Sequence, residues 1–136
     1  MRKIFGLITF WAALLIILAG VIACSSPSSN LDETAIRAYA DPATEVTLQG
    51  LSENDLEKYT RYGNSEFKAA VTQEVFDSAV AKINSQLGSY ESKEFLRINE
   101  QNGYIIVHYK AKYTKGEVGI RMVFDRDQLV AGQWFE

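Results

Sequence analysis

The stretch Asn102-Gly103-Tyr104-Ile105-Ile106-Val107-His108-Tyr109-Lys110-Ala111-Lys112-Tyr113 decides the fold. From Ile105 onward an apolar or aromatic residue falls on every second position, which is the period of a β-strand with one buried face. The Asn-Gly pair before the strand is the strongest short signal for a two-residue hairpin turn. The stretch therefore predicts a strand that follows a hairpin turn and buries one face.

Three further strands are predicted around this one. Residues 89–99 precede the hairpin turn, and residues 117–125 alternate again after a turn at Lys115-Gly116. A tight turn at Arg126-Asp127 leads into the last strand, residues 129–135. Together these segments predict a four-stranded antiparallel meander.

The clearest helix of the chain precedes the strands. It begins after Thr72, and Gly88 stands where a glycine commonly ends a helix. Its apolar residues share an arc of about 140° at 100° per residue; they are Val75, Phe76, Ala79, Val80, Ile83 and Leu87. This face needs a wide apolar partner, and the meander supplies one.

Two shorter helices are predicted nearer the N-terminus. Asp41 is a favourable N-cap and Pro42 suits a first helical position, so a helix is expected from Pro42 to about Leu51, after an amphipathic lead-in at residues 31–40. A second helix is expected over residues 55–62. Helices followed by an antiparallel sheet make a single α+β domain, predicted over residues 34–136.

The first 23 residues have the layout of a secretory leader. Arg2 and Lys3 precede an apolar run that ends at Ile22. Val21-Ile22-Ala23-Cys24 resembles the lipobox of bacterial lipoproteins, in which the leader is cut before the cysteine and the thiol receives a diacylglyceryl group. The resemblance implies a lipoprotein signal peptide over residues 1–23 and a lipidated Cys24. The alternative is an uncleaved signal anchor, because about 19 apolar residues also suffice to span a bilayer.

Residues 24–33 are expected to be a flexible tether, because Ser25-Ser26-Pro27-Ser28-Ser29-Asn30 is polar and of low complexity. Two acyl chains would anchor the chain stably, at ~0.8 kcal/mol per buried CH₂. Both readings of the leader place the folded domain outside the cytoplasm. The expected location is the cell envelope, with membrane attachment at Cys24.

Composition argues against several classes of site. The chain carries 14 Lys and Arg against 17 Asp and Glu, a net charge of −3, which does not favour nucleic acid. Cys24 is the only cysteine, so an intramolecular disulfide is impossible. With His108 as the only histidine, the usual zinc ligands are missing as well, so neither a metal nor a cofactor is expected. His108 itself is interpreted as a surface or partly buried strand residue.

Six stretches of the folded part resemble a bacterial and archaeal family, the domain of unknown function 3887. They are Ala40–Glu45, Leu48–Ser52, Leu87–Tyr90, Tyr109–Tyr113, Arg121–Asp125 and Val130–Phe135. The resemblance implies a cystatin-like cone of the nuclear transport factor 2 and ketosteroid isomerase type, in which helices pack on a curved sheet and often enclose a pocket. Function does not transfer across that superfamily.

Aromatic residues are the candidates for lining such a pocket. They are Tyr59, Tyr62, Phe76, Tyr109, Tyr113 and Trp134. Ordinary core and sheet packing is the competing interpretation. One of Trp134 and Phe135 must face outward because they are neighbours on a strand, and an exposed aromatic there points to a homodimer surface.

The function expected is therefore that of a non-catalytic domain that binds a small ligand or a protein partner. One alternative is an interaction or dimerisation module with no ligand. The other is a cone-fold enzyme that uses a buried carboxylate as a base. A Tyr-lined cavity would favour ligand binding, a closed apolar core the interaction module, and a buried carboxylate of raised pKa the enzyme.

Overall fold

The computed structural model describes residues 30–136. The helices are α1 (Glu33–Glu53), α2 (Leu56–Thr60), α3 (Ser65–Ala70) and α4 (Gln73–Gln86). The strands are β1 (Tyr90–Gln101), β2 (Tyr104–Tyr113), β3 (Gly116–Phe124) and β4 (Val130–Phe135). The predicted α+β class, with helices first and a four-stranded antiparallel sheet second, is confirmed. The leader, Cys24 and the Ser-rich stretch through Ser29 lie outside the described residues.

The sheet is a simple meander in the order β1-β2-β3-β4. Asn102 and Gly103 form the first turn with φ of 54° and 81°, the left-handed geometry that an Asn-Gly hairpin turn requires. Three irregularities break the register, at Glu91 and around Leu96 in β1 and at Ala131 in β4. Each inserts an extra residue, which bends the strand and increases its twist.

One helix, α1, replaces the two segments predicted for this region. The prediction that a helix begins at Pro42 with Asp41 as its N-cap is wrong, because α1 continues through Pro42 and its N-cap is Asp32. Proline has no N–H, so the carbonyl of Ala38 has no intrahelical donor. The helix tolerates this because its buried stripe runs unbroken on both sides of the proline, from Ile36 to Leu51.

The core lies between the helices and one face of the sheet. Tyr109, Phe76 and Phe124 are among its largest fully buried side chains. The predicted apolar arc of α4 faces this core through Phe76, Val80 and Ile83. Val75, at the edge of the same arc, is instead 54% exposed. The inner face of the sheet and the helices thus enclose one apolar core, and Val75 lies on the surface.

The loop between α2 and α3 is joined to the start of β4. Asn64 N–H donates to the Val130 carbonyl at 2.9 Å, and Val130 N–H donates to the Tyr62 carbonyl at 2.8 Å. The Asn64 side chain both caps α3 and donates to Asp125 Oδ2 at 2.9 Å. These bonds hold the short helices against the last strand.

Asp125 is the acceptor at the centre of this junction. Partial burial acts to raise the pKa of its carboxyl, but hydrogen bonds from Asn64 and from the backbone N–H groups of Leu129 and Asp127 outweigh it and lower the pKa. A carboxyl whose pKa is lower in the folded state stabilises the fold above its unfolded pKa, about 4, and loses that contribution as the pH falls below it.

We expect Asp125→Asn to be less stable than the wild type at neutral pH, and the difference to shrink below about pH 4. Urea unfolding at a series of pH values measures it. Asp127→Asn is the matched control, because the Asp127 carboxylate accepts no hydrogen bond within residues 30–136. A difference that stays constant down to pH 2 would contradict the role given to Asp125.

Candidate functional site

An open groove lies between strand β4 and helices α3 and α4, with a volume of about 470 Å³. We call it the β4 groove. The residues that line it are Tyr59, Glu66, Phe67, Ala70, Val71, Val75, Ala131, Gly132, Gln133 and Trp134. Most of this lining is apolar, and Glu66 provides its one carboxylate.

The six aromatic residues predicted to line a pocket are distributed over three environments. Phe76, Tyr109 and Tyr113 lie in the core, each at most 2% exposed. Tyr62 is on the surface at 38% exposed. Tyr59 and Trp134 meet at the β4 groove. The structure therefore brings two of the six together at one open site.

Tyr59 forms the floor of the β4 groove. Its ring packs on those of Phe67 and Phe76, with centroids 5.7 and 5.2 Å away. Burial raises the pKa of its phenol to about 12, so the hydroxyl stays protonated at neutral pH. It donates a hydrogen bond to Gln133 Oε1 at 2.8 Å. This bond joins α2 to β4 across the groove.

Trp134 forms the rim of the groove and is held in place from two sides. A side chain at Gly132 would collide with the indole, since a Cβ there would lie 2.2 Å from Cη2 of Trp134. The Arg121 guanidinium lies over the ring, 4.7 Å from its centroid. Stacking of this kind favours one orientation of an exposed indole. Although Trp134 is 46% exposed, its ring is therefore pre-positioned.

Trp134 also ends a row of side chains across the outer face of the sheet. The strand register places Arg97 opposite His108, His108 opposite Arg121, and Arg121 opposite Trp134. We call these four residues the outer-face row. Glu136 lies beside it, with Oε2 3.2 Å from Nδ1 of His108 and Oε1 3.6 Å from Nε of Arg121.

The outer-face row explains why His108 is buried. Arg97 Nη2 lies 3.3 Å from Nδ1 of His108, so the ring sits between a guanidinium and the Glu136 carboxylate. The sequence offered no partner for this histidine, because residues 97, 108, 121 and 136 become neighbours only through the register of the sheet.

The enzyme alternative requires a buried carboxylate that can act as a base. Within residues 30–136 no Asp or Glu side chain is fully buried. Asp41, on α1, is half-buried and accepts hydrogen bonds from the Tyr109 hydroxyl at 2.8 Å and from Arg37 Nε at 3.1 Å. These bonds join α1 to β2 through the Asp41 carboxylate, so both of its oxygens are engaged in contacts within the fold.

Between Asn30 and Glu136, no group of three or more His, Cys, Asp and Glu side chains is placed to hold a metal ion. In the same range, no helix is both long and apolar enough to cross a membrane.

Comparison with known proteins gives the family and the fold. Residues 44–132 match the family described as "Protein of unknown function (DUF3887)". The solved structure of a protein from Ruminococcus gnavus ATCC 29149 is 18% identical, with a TM-score of 0.52 over 76% of this chain and 90% of that one. No curated protein gives a significant match.

A second solved structure, named as an NTF-2 like protein of unknown function from Burkholderia xenovorans LB400, is 14% identical and has a TM-score of 0.41. The alignment covers 74% of this chain and 84% of that one. The family match spans residues 44–132, from the middle of α1 to β4, and so takes in most of the helical layer and the sheet. This chain belongs to the DUF3887 family.

Proposed function

We propose that the chain is a membrane-anchored lipoprotein whose domain, outside the cytoplasm, binds a protein partner without catalysing a reaction. The observation that carries this proposal is the distribution of the aromatic residues. Phe76, Tyr109 and Tyr113 fill the interior, while Trp134 is displayed in a fixed orientation beside an open apolar groove. Exposed and ordered aromatics are enriched in protein interfaces.

The geometry supports a partner more than an enclosed small ligand. Small-molecule sites bury most of the ligand surface in a concave pocket. The β4 groove is instead open along the side of a strand, and it adjoins the outer-face row through Trp134. A larger partner would contact the groove and the row together.

The anchor part of the proposal rests on the sequence. Val21-Ile22-Ala23-Cys24 follows an apolar run, and a polar Ser-rich stretch separates it from α1. Diacylation of Cys24 would attach the chain to the membrane surface and leave the domain free to meet proteins near it.

One experiment tests anchor and binding together. The full chain is expressed in its native cells with a photo-crosslinking amino acid at one of two positions, and the cells are fed labelled fatty acid. The positions are Leu96, which is exposed and precedes Arg97 of the outer-face row, and Val75, which lines the β4 groove. We expect a labelled, membrane-bound chain that forms an adduct of discrete higher mass on irradiation. The same chain with Cys24→Ser is expected to carry no label and to keep its leader.

Three outcomes contradict parts of this proposal. An unlabelled wild-type chain with an intact leader would mean a signal anchor and no lipid. An adduct of twice the chain mass would mean that the partner is a second copy. Lys82, on the exposed side of α4, is the background control position for crosslinking. If neither Leu96 nor Val75 gave any adduct above that background, the partner-binding role would be disproved.

A further inference from the structure

Strand β4 is an edge of the sheet, and part of its outward backbone is unpaired. Glu136 N–H donates to the Gly119 carbonyl at 2.9 Å, and Gly119 N–H donates to the Glu136 carbonyl at 3.3 Å. In an antiparallel pair the direction of these groups alternates along the strand. The N–H and C=O of Gln133 and Phe135 therefore point away from β3, and none of them has a backbone partner within residues 30–136.

The same edge already accepts a short parallel segment at its beginning. Val130, the first residue of β4, exchanges outward hydrogen bonds with Tyr62 and Asn64, and Gly63 forms a parallel bridge with it. After Asn64 the chain turns into α3 and leaves the edge. The β4 groove is the space that opens where this segment stops.

The two edges of the sheet are protected very differently. Both strands contain a bulge, but β1 also carries charged side chains along most of its length, and these discourage strand pairing. β4 reads Val-Ala-Gly-Gln-Trp-Phe and has no charged residue from Val130 to Phe135. An uncharged edge with unpaired backbone groups beside an apolar groove is a site for strand addition.

The walls of the groove suit alternating side chains. Phe67, Val71 and Val75 form the helical wall, and Trp134 forms the rim on the strand side. Glu66 lies among them and has no ion-pair partner within residues 30–136. The groove therefore offers apolar contacts along its length and one unpaired negative charge.

We propose that the β4 groove binds an extended peptide segment of a partner protein, which adds to β4 as a fifth strand through the backbone of Gln133 and Phe135. Its alternate side chains are apolar and enter the groove, and a basic residue faces Glu66. This inference rests on the proposed function, since it names the kind of partner and the surface that receives it.

Only an extended polypeptide matches the outward backbone groups, because it presents donors and acceptors at the spacing of a strand. A second copy of this chain is the weaker fit. Its net charge is −3, so it has the same sign as Glu66 and offers no overall complementarity. The Ser-rich stretch before Asn30 is polar and brings no apolar side chains to the groove.

The test uses a phage-displayed library of random octapeptides, selected on the full chain in detergent micelles. Gln133→Pro and Gln133→Ala form a matched pair. Both lose the hydrogen bond to Tyr59, but only proline lacks the outward N–H, and at this position it breaks no bond to β3. We expect enriched peptides with alternating apolar residues and a Lys or Arg, bound about tenfold more weakly by Gln133→Pro than by Gln133→Ala.

A second measurement does not depend on how well the proline variant folds. An enriched peptide is resynthesised with methyl groups on alternate backbone amides, which removes its donors and leaves the protein unchanged. We expect binding to be lost for one of the two alternate methylation patterns. Equal binding of both methylated forms, equal binding by the two Gln133 variants, or no enrichment at all would overturn the inference.

The inference and the proposed function fail separately. If crosslinking in cells gave adducts from Leu96 and none from Val75, the chain would still bind a protein partner, but that partner would lie away from the β4 groove. Dimerisation of the chain in place of peptide binding would overturn the peptide as the occupant of the edge.

Discussion

Gly50→Ala is expected to destabilise the domain by about 2 kcal/mol or more, although alanine is the better helix former. Gly50 lies inside α1 where α2 crosses it. A Cβ at this position would lie 2.4 Å from the backbone nitrogen of Tyr59 and 2.8 Å from its Cα. Backbone atoms cannot rotate away as a side chain can, so α2 must move as a unit.

The expected loss in unfolding free energy exceeds that of the local clash alone, because Tyr59 is part of α2. Moving α2 would pull the Tyr59 hydroxyl away from Gln133 and disturb its packing on Phe76. The Asp55 N–H bond to the Gly50 carbonyl, 2.8 Å long, would be strained as well. The usual gain of about 0.5–1 kcal/mol from replacing a helical glycine is therefore outweighed.

Chemical unfolding monitored by tryptophan fluorescence measures the effect. Gly116→Ala is the matched control, because a Cβ there would meet nothing within 4 Å and the substitution should change stability little. If Gly50→Ala proved as stable as the wild type, the close approach of α1 and α2 would be disproved.

The sheet was predictable because its signals are local. Alternation over Tyr104–Tyr113 and the Asn102-Gly103 turn each require only neighbouring residues, and both appear in the structure. Strand bounds agree closely for the same reason, since each strand ends at a turn that its own residues specify.

The helix α1 shows where local signals mislead. Asp41-Pro42 has the residues of a helix start, yet the Asp41 carboxylate accepts a hydrogen bond from Tyr109, which is 68 residues away in sequence. The apolar stripe through Ala40, Ala43 and Leu48 is continuous across the proline, and this periodicity was the better evidence. Tertiary packing outweighed the missing hydrogen bond.

The β4 groove could not be predicted residue by residue. Tyr59 and Trp134 meet only because the loop after α2 pairs with Val130, and no periodic pattern encodes that pairing. The outward position of one aromatic in the Trp134-Phe135 pair was predictable from strand alternation, and the structure places Trp134 outward. The position of the groove beside it was not.

The second large effect concerns Tyr109, a core residue that carries a polar contact. Its ring is 1% exposed and packs edge-on against Phe95, with centroids 6.2 Å apart. Its hydroxyl donates to Asp41 Oδ1 at 2.8 Å. We expect Tyr109→Ala to cost about 3–5 kcal/mol through the cavity it leaves, and Tyr109→Phe about 1 kcal/mol through the lost hydrogen bond.

Comparing wild type, Tyr109→Phe, Asp41→Ala and the double variant separates the hydrogen bond from the packing. We expect the two single losses in unfolding free energy to sum to more than the loss in the double variant, since they share one bond.

Burial, followed by the bond to Asp41, raises the pKa of the Tyr109 phenol. The stability this provides is present below the unfolded pKa, about 10, and is lost as the pH rises above it, so Tyr109→Phe should lose less stability than the wild type in alkali. Strict additivity together with identical alkaline profiles would show that the Tyr109–Asp41 bond contributes nothing to the fold.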